Sequence, residues 1–143
     1  MKSHFLARNI NKLQKELQIT PEVAARLYTA RLIGKEKTLV LHGGGNCSLK
    51  STAVDLFGKA RPSVLVKASG FDMANLPPSG LTELWLEDLE PLSQLNSMSD
   101  EVMSGELQRC AIKLDSAPPS IEALVHAWIP EKFVDHSHSD AIL

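Results

Sequence analysis

The apolar and polar positions in the first third of the chain predict two helices. Across residues 5–18 the apolar side chains recur every three or four positions, at Phe5, Leu6, Ile10, Leu13 and Leu17. A second helix is predicted to begin at Pro21, because Thr20 is a hydroxyl N-cap and Glu22 follows near the positive end of the helix dipole. We expect Gly34 to end this helix.

The rest of the chain switches between strand-like and helix-like patterns. Short β-branched and aliphatic runs predict strands at 38–41, 63–67 and 132–138. Helical spacing predicts helices at 81–89, 99–112 and 120–128, the last with Ser120 as a cap, and a loop is predicted at 75–80. Because helices and strands alternate, the predicted fold class is α/β.

Composition and charge narrow the classes of function. The 143 residues suit one domain, and the net charge of -2 comes without a stripe of Lys and Arg, so nucleic acid and membrane surfaces have little electrostatic support as partners. No run approaches the ~18 apolar residues of a membrane span, and the N-terminus lacks the continuous apolar segment of a signal peptide. Cys47 and Cys110 form no disulfide framework, so we expect a cytoplasmic protein.

A glycine-rich stretch at 41–52, LHGGGNCSLKST, is the first candidate for chemistry. Lys50 and the following serine match the end of a P-loop, but Leu49 occupies the position of its second glycine. The dinucleotide pattern G-x-G-x-x-G fails as well, because Ser48 replaces its third glycine. Two interpretations remain open: a glycine-rich connection without a ligand, or a backbone nest in which amide N–H groups and the side chains of Asn46 and Ser48 hold an anion.

His136 and His138, in the sequence VDHSHSD, are the second candidate. Side chains two positions apart on a strand share a face and sit roughly 6–7 Å apart. Both imidazoles could then reach one zinc ion at about 2.0–2.1 Å. A surface pair of histidines without a metal is the alternative that the sequence leaves open.

Glu122 and His126 lie four residues apart on a predicted helix, and therefore on one face of it. Glu122 beside a metal could act as a general acid and base, or it could be an acid favoured by the helix dipole. For His126 we favour a place at the edge of the core, paired with Glu122, over metal ligation. Ser69 and Gly70 follow a predicted strand, where they allow close backbone approach to a ligand or form a simple tight turn.

Three segments together resemble the class II aldolase/adducin-head family, in the same order and at similar separations: LHGGGNCSLK, VKASGFDMA and PSIEALVHAWIPEKFVDHSHSDAIL. The resemblance begins near residue 20 and is strongest to the N-terminal aldolase domain of bifunctional rhamnulose-1-phosphate aldolase/short-chain alcohol dehydrogenase proteins. It implies a three-layer α/β/α sandwich around a mixed, largely antiparallel sheet. Residues 1–143 would form one such domain, without its C-terminal part.

The resemblance also implies roles for individual residues. It assigns the substrate phosphate to Gly45, Asn46, Ser69, Gly70 and Ser120. It makes Glu122 the catalytic acid and base, and it makes His136 and His138 two of three zinc ligands. The family's third zinc histidine lies downstream of this pair, so the chain is expected to hold Zn²⁺ in an incomplete site unless His126 takes the third position.

The implied chemistry is reversible aldol cleavage of a ketose 1-phosphate, such as rhamnulose 1-phosphate, to dihydroxyacetone phosphate and an aldehyde. Zn²⁺ would act as the Lewis acid in this reaction. Family members commonly form homo-oligomers, often tetramers. The second functional class is a non-catalytic binding or assembly module like the adducin heads, which we would expect to lack the metal histidines.

Overall fold

The computed structural model describes residues 4–41 and 43–139, and its four strands form one sheet in the order β3-β2-β1-β4. The strands are β1 (Asn46–Val54), β2 (Ala60–Lys67), β3 (Leu81–Trp85) and β4 (Phe133–His136). All three pairings between them are antiparallel. β4 therefore lies at an edge of the described sheet, hydrogen-bonded to the first half of β1.

In the described part of the chain, five α-helices accompany the sheet: α1 (Ala7–Leu17), α2 (Pro21–Gly34), α3 (Leu86–Leu89), α4 (Asp100–Arg109) and α5 (Ala123–Trp128). The predicted start of α2 is confirmed, because the Thr20 hydroxyl accepts a hydrogen bond from the Val23 N–H at 3.3 Å and Pro21 is the first helical residue. Short 3₁₀ turns lie at Met73–Asn75, Pro78–Gly80 and Glu90–Gln94. Within the described ranges, no helix is both long and apolar enough to cross a membrane.

The helices cover both faces of the sheet and make three layers. Val64 and Val66 on β2 join a buried cluster with residues of α3, α4 and α5, whereas Leu65 packs with the cluster that contains residues of α2. Since neighbouring side chains on a strand point to opposite faces, the two clusters lie on opposite sides of the sheet. The predicted α/β sandwich is confirmed, and each fully buried aliphatic side chain stabilises it by about 1.5–3 kcal/mol.

The strand predicted at 38–41 is wrong. Glu36 accepts hydrogen bonds from the Thr38 N–H and hydroxyl through Oε1, at 3.2 and 2.8 Å, and from the Leu39 N–H through its carbonyl at 2.9 Å. These local bonds close a turn, and the strand begins after the glycines, at Asn46. Its sequence, NCSLKSTAV, looks like that of a loop because the residues at positions 46, 48 and 50 are polar. These residues face α5 and the residue before it, where they have hydrogen-bond partners.

The helix predicted at 81–89 is wrong over its first half. Leu81–Trp85 pairs with β2 as a strand, and only Leu86–Leu89 is helical. The leucines of this segment fit both the apolar spacing of a helix and that of a strand. Pairing with β2 selects the strand. The helices predicted at 99–112 and 120–128 are confirmed over α4 and α5. The strand predicted at 132–138 ends at His136.

Candidate active site

The first residue of β1 and the last residue of β4 are antiparallel neighbours, because Asn46 pairs with His136. Their register brings the glycine-rich stretch and the two histidines, 90 residues apart in sequence, to one end of the sheet. Glu122 reaches the same end from the residue before α5, and the Asn46 side-chain amide donates a hydrogen bond to Glu122 Oε2 at 2.7 Å. Three segments that are distant in sequence therefore meet at Asn46.

Glu122, His136 and His138 form a compact group of potential metal ligands. Glu122 Oε1 lies 3.6 Å from His136 Nδ1 and 3.4 Å from His138 Nε2, and the two imidazole centroids are 4.9 Å apart. All three donor atoms lie within 4.8 Å of one another, and no other such group of histidine, cysteine and acidic residues occurs in residues 4–41 and 43–139. Tetrahedral ligands about 2.1 Å from a common zinc ion are about 3.4 Å apart, so this donor set fits Zn²⁺ in spacing and in chemistry.

The Glu122 carboxylate is held in its ionised form. Its partial burial opposes ionisation, but the hydrogen bond from Asn46 and the neighbouring imidazoles of His136 and His138 outweigh this, so the pKa of Glu122 lies below its usual value. Oε2 is fixed by Asn46, and Oε1 faces the histidines. An ionised carboxylate with one oxygen fixed and one facing the donors can accept a proton or complete a metal site.

Two of the glycines are required by close packing against the histidine segment. A Cβ on Gly44 would lie 2.9 Å from His138 Nδ1, and a Cβ on Gly45 would lie 2.9 Å from the His136 carbonyl oxygen. Gly45 also has a φ of +72°, which L side chains rarely adopt. The glycine-rich stretch and the histidine pair are therefore one structural unit, with the glycines providing the space that the histidines occupy.

Lys50 does not occupy the position that a P-loop lysine would need. Its ammonium donates to the carbonyl of His126 at 2.5 Å, near the C-terminal end of α5. Leu49, the residue that breaks the P-loop pattern, is fully buried. Nucleotide binding through this stretch finds no support in these contacts.

Ser69, Gly70 and Ser120 are brought together by two neighbouring segments. The Ser69 N–H donates to the Pro118 carbonyl at 2.9 Å, and Ala68 forms an isolated β-bridge with Pro119. The Ser120 hydroxyl accepts a hydrogen bond from the Glu122 N–H at 3.3 Å and lies 3.5 Å from Glu122 Oε2. Ser69 and Gly70 are exposed, whereas the 118–120 segment leads directly to the acid.

His126 is a neighbour of the ligand group and not a member of it. Its side chain is 1% exposed, and its Nδ1 lies 2.9 Å from the Ser48 hydroxyl instead of pairing with Glu122. Burial and the nearby His136 lower the pKa of His126 to about 4, so the imidazole is neutral. Its centroid is 6.2 Å from that of His136.

Arg26 is a site-building residue that the sequence patterns did not indicate. Its fully buried guanidinium donates to the carbonyls of Ser48 at 3.3 Å and Val134 at 3.2 Å, and it forms an ion pair with Asp135. It therefore ties β1 to the edge strand that carries His136. The only sequence signal was an arginine next to the apolar positions of helix α2, where its burial could not be read from spacing alone.

Comparisons with known proteins agree with this arrangement. The family described as Class II Aldolase and Adducin N-terminal domain matches residues 24–143. The uncharacterized oxidoreductase YuxG of Bacillus subtilis (strain 168) is 37% identical over 138 residues, which are 96% of this chain and 20% of that protein. The N-terminal class II aldolase domain of a conserved protein from Thermoplasma acidophilum matches 85% of this chain and 57% of its own, with 37% identity and a TM-score of 0.81. The chain thus spans about a fifth of the length of the Bacillus relative.

Proposed function

The chain belongs to the class II aldolase and adducin N-terminal domain family, and we propose that it is a zinc-dependent aldolase domain. Its substrate would be a ketose 1-phosphate of the rhamnulose 1-phosphate type, cleaved to dihydroxyacetone phosphate and an aldehyde. The observation that carries this proposal is the grouping of Glu122, His136 and His138 within 4.8 Å beside the glycine-rich stretch. Retention of these three groups favours an enzyme over an adducin-like binding module.

His136 and His138 are the residues that would hold Zn²⁺, with Glu122 close enough to be a further ligand. When bound, the ion supplies Lewis-acid stabilisation of negative charge on the substrate oxygens. Arg26 keeps β4, and hence His136, aligned with β1. A third histidine from outside the chain, as the family resemblance implies, would complete a three-histidine set.

Glu122 would move the proton on which carbon–carbon cleavage depends. When the bond between the third and fourth carbons breaks, the hydroxyl on the fourth carbon loses its proton and becomes the aldehyde. Glu122 Oε1, which is ionised before the reaction, would accept that hydroxyl proton and then deliver it to the electron pair left on the third carbon, so that the carboxylate is regenerated. Asn46 orients this carboxylate through Oε2, and positioning of this kind lowers the entropic part of the barrier.

The phosphate would be bound by uncharged groups of Gly45, Asn46, Ser69, Gly70 and Ser120. Backbone N–H groups in turns and side-chain hydroxyls hold anions without a formal countercharge. Ser69 and Gly70 are exposed on a turn held beside 118–120, as a phosphate-binding turn requires. The remaining parts of the proposal are that the chain is part of a longer domain, that it forms homo-oligomers and that it acts in the cytoplasm.

The experiment is zinc-dependent release of dihydroxyacetone phosphate from rhamnulose 1-phosphate, followed by NADH oxidation with glycerol-3-phosphate dehydrogenase. We expect release that stops on chelation and returns with zinc. Glu122→Gln should slow it about a thousandfold, as loss of a general acid and base does. The exposed acid at Glu131 provides the matched control, and Glu131→Gln should retain full activity. Zinc-independent release, or full activity in Glu122→Gln, would overturn the proposal.

A further inference from the structure

Beyond the residues already assigned, we infer that Lys67 is a positioning residue that holds the turn at Ser69 and Gly70 in its phosphate-binding conformation. This inference rests on the proposed function, because it concerns the same phosphate site. Lys67 is the last residue of β2 and directly precedes the turn segment. It belongs to none of the metal, acid–base or phosphate contacts proposed above.

The Lys67 ammonium bridges the two sides of this turn. Nζ donates to the carbonyl of Phe71 at 2.8 Å and lies 3.5 Å from the carbonyl of Ala68. These carbonyls flank Ser69 and Gly70, so one side chain contacts the backbone immediately before and immediately after the exposed pair. Both contacts are satisfied together only when the turn keeps its present conformation.

The carbonyls of Ala68 and Phe71 are the main polar groups that replace the hydration that the Lys67 ammonium loses on burial. The residue is 5% exposed, and no carboxylate oxygen of the described residues lies within 4.0 Å of its ammonium. Removing an ammonium from water is costly unless polar groups replace the lost hydration. If the turn moved the Phe71 carbonyl away, the buried ammonium would be left poorly solvated. Lys67 therefore disfavours that conformation of the turn.

The opposite side of the turn is fixed by backbone contacts. The Ser69 N–H bonds to Pro118, and the bridge between Ala68 and Pro119 continues the contact toward Ser120. Gly70 has a φ of +79°, and apart from its chain neighbours no atom of residues 4–41 and 43–139 lies within 4 Å of where its Cβ would be. Lys67 is therefore the side chain that secures the turn from the sheet side, while the outer surface stays open to a ligand.

The test measures binding of inorganic phosphate to the full chain by isothermal titration, together with hydrogen exchange of the backbone amides at 68–72. Lys67→Met should weaken phosphate binding about tenfold and speed exchange at 68–72 without changing exchange in β1 and β4. Lys67→Arg, which keeps a charged donor, should recover most of the affinity. Lys59→Met removes the same charge from an exposed position of the β1–β2 turn and should bind phosphate as the wild type does.

Kinetics with the ketose 1-phosphate distinguish positioning of the turn from general damage. Lys67→Met should raise KM about tenfold while leaving kcat nearly unchanged, because Glu122 and the histidines keep their contacts. Equal phosphate affinity in the wild type and Lys67→Met would overturn the inference and leave the proposed function standing. Absence of phosphate binding in the wild type would instead refute the phosphate site itself and this inference with it. If Lys67→Met does not fold, Lys67→Gln is measured in its place with the same expectations.

Discussion

The two ends of the β1–β2 hairpin are built in opposite ways. At the turn end, Asp55 Oδ1 accepts hydrogen bonds from the N–H groups of Phe57 and Lys59, both at 2.9 Å, so residues adjacent in sequence complete the structure. Leu56 lies at this end and is fully exposed among the residues that the structure describes. At the other end, Asn46 is fully buried. It is held there by Glu122, the residue before α5, and by pairing with β4. Local bonds suffice for a turn, whereas the site end requires long-range packing.

Two glycines with nearly the same φ illustrate this difference between the two ends of the hairpin. Gly45 has a φ of +72° and Gly58 a φ of +79°. A Cβ at Gly45 would meet the His136 carbonyl oxygen and the Met73 sulfur, both at 2.9 Å, whereas a Cβ at Gly58 would meet no non-neighbouring atom of the described chain within 4 Å. At the turn, glycine is favoured by its conformation alone. At the site it is also favoured because another segment occupies the space.

The largest expected effect is on zinc affinity at the site end. His136→Ala should weaken zinc binding by about a thousandfold, because zinc binding free energies of about 10–16 kcal/mol are shared among only a few ligands. The matched control is His4→Ala, an exposed histidine outside the helices and strands. Competition titration with a fluorescent zinc chelator measures both. Equal affinity in the two variants would remove His136 from the metal site.

Replacing each of the two glycines with alanine should lower the free energy of unfolding by different amounts at the two ends of the hairpin. Gly45→Ala should lower the free energy of unfolding by about 2–4 kcal/mol, from the strained φ and the steric overlap together. Gly58→Ala carries the strained φ alone and should cost about 1–2 kcal/mol. Urea unfolding followed by circular dichroism gives both values. Equal losses would mean that the histidine segment does not press on Gly45 as the structure shows.

Removal of the Asn46 side-chain amide should have a smaller effect, measured on kcat. Asn46→Ala leaves Glu122 Oε2 without its partner at 2.7 Å, so we expect kcat to fall about tenfold through loss of one charged hydrogen bond. Thr52→Ala, an exposed position further along the same strand, should leave kcat unchanged. Steady-state kinetics with the ketose 1-phosphate measure both variants. An unaltered kcat in Asn46→Ala would show that Glu122 needs no orientation by this amide.

The smallest effect is expected at the turn end. Leu56→Ser and Phe57→Ser replace exposed apolar side chains, and each should change the free energy of unfolding by less than about 0.5 kcal/mol. Urea unfolding and sedimentation velocity at the same protein concentration provide the measurement. A large loss of stability, or a change of oligomeric state, would mean that this turn packs against another chain.

The same contrast explains how much the sequence could predict. The start of α2 was predictable, because Thr20, Pro21 and Glu22 act within one helical turn. The pairing of His136 and His138 followed from spacing and from the family resemblance, although His138 lies beyond the end of β4. The residues of the proposed phosphate site were named from the family resemblance. Signals that act over short distances, or that a family shares as motifs, can be read without coordinates.

β1 was not predictable by the same means. Three of its polar residues have partners on α5 or at the residue before it, more than 70 residues away: Asn46 contacts Glu122, Ser48 contacts His126, and Lys50 contacts the His126 carbonyl. The position of Arg26, which joins β1 to β4, likewise depends on strands far along the chain. The predicted pairing of Glu122 with His126 also followed from helical spacing, but the register of β1 directs them to different partners.

The central claim is that Glu122 moves a proton at the substrate carbon beside a zinc site formed by His136 and His138. The most direct measurement is zinc-dependent exchange of a carbon-bound hydrogen of dihydroxyacetone phosphate with D₂O, followed by ¹H NMR, which requires no knowledge of the aldehyde. We predict exchange of one hydrogen by the wild type and by Glu131→Gln, and none above background by zinc-loaded Glu122→Gln. Exchange at the wild-type rate in Glu122→Gln would contradict the account.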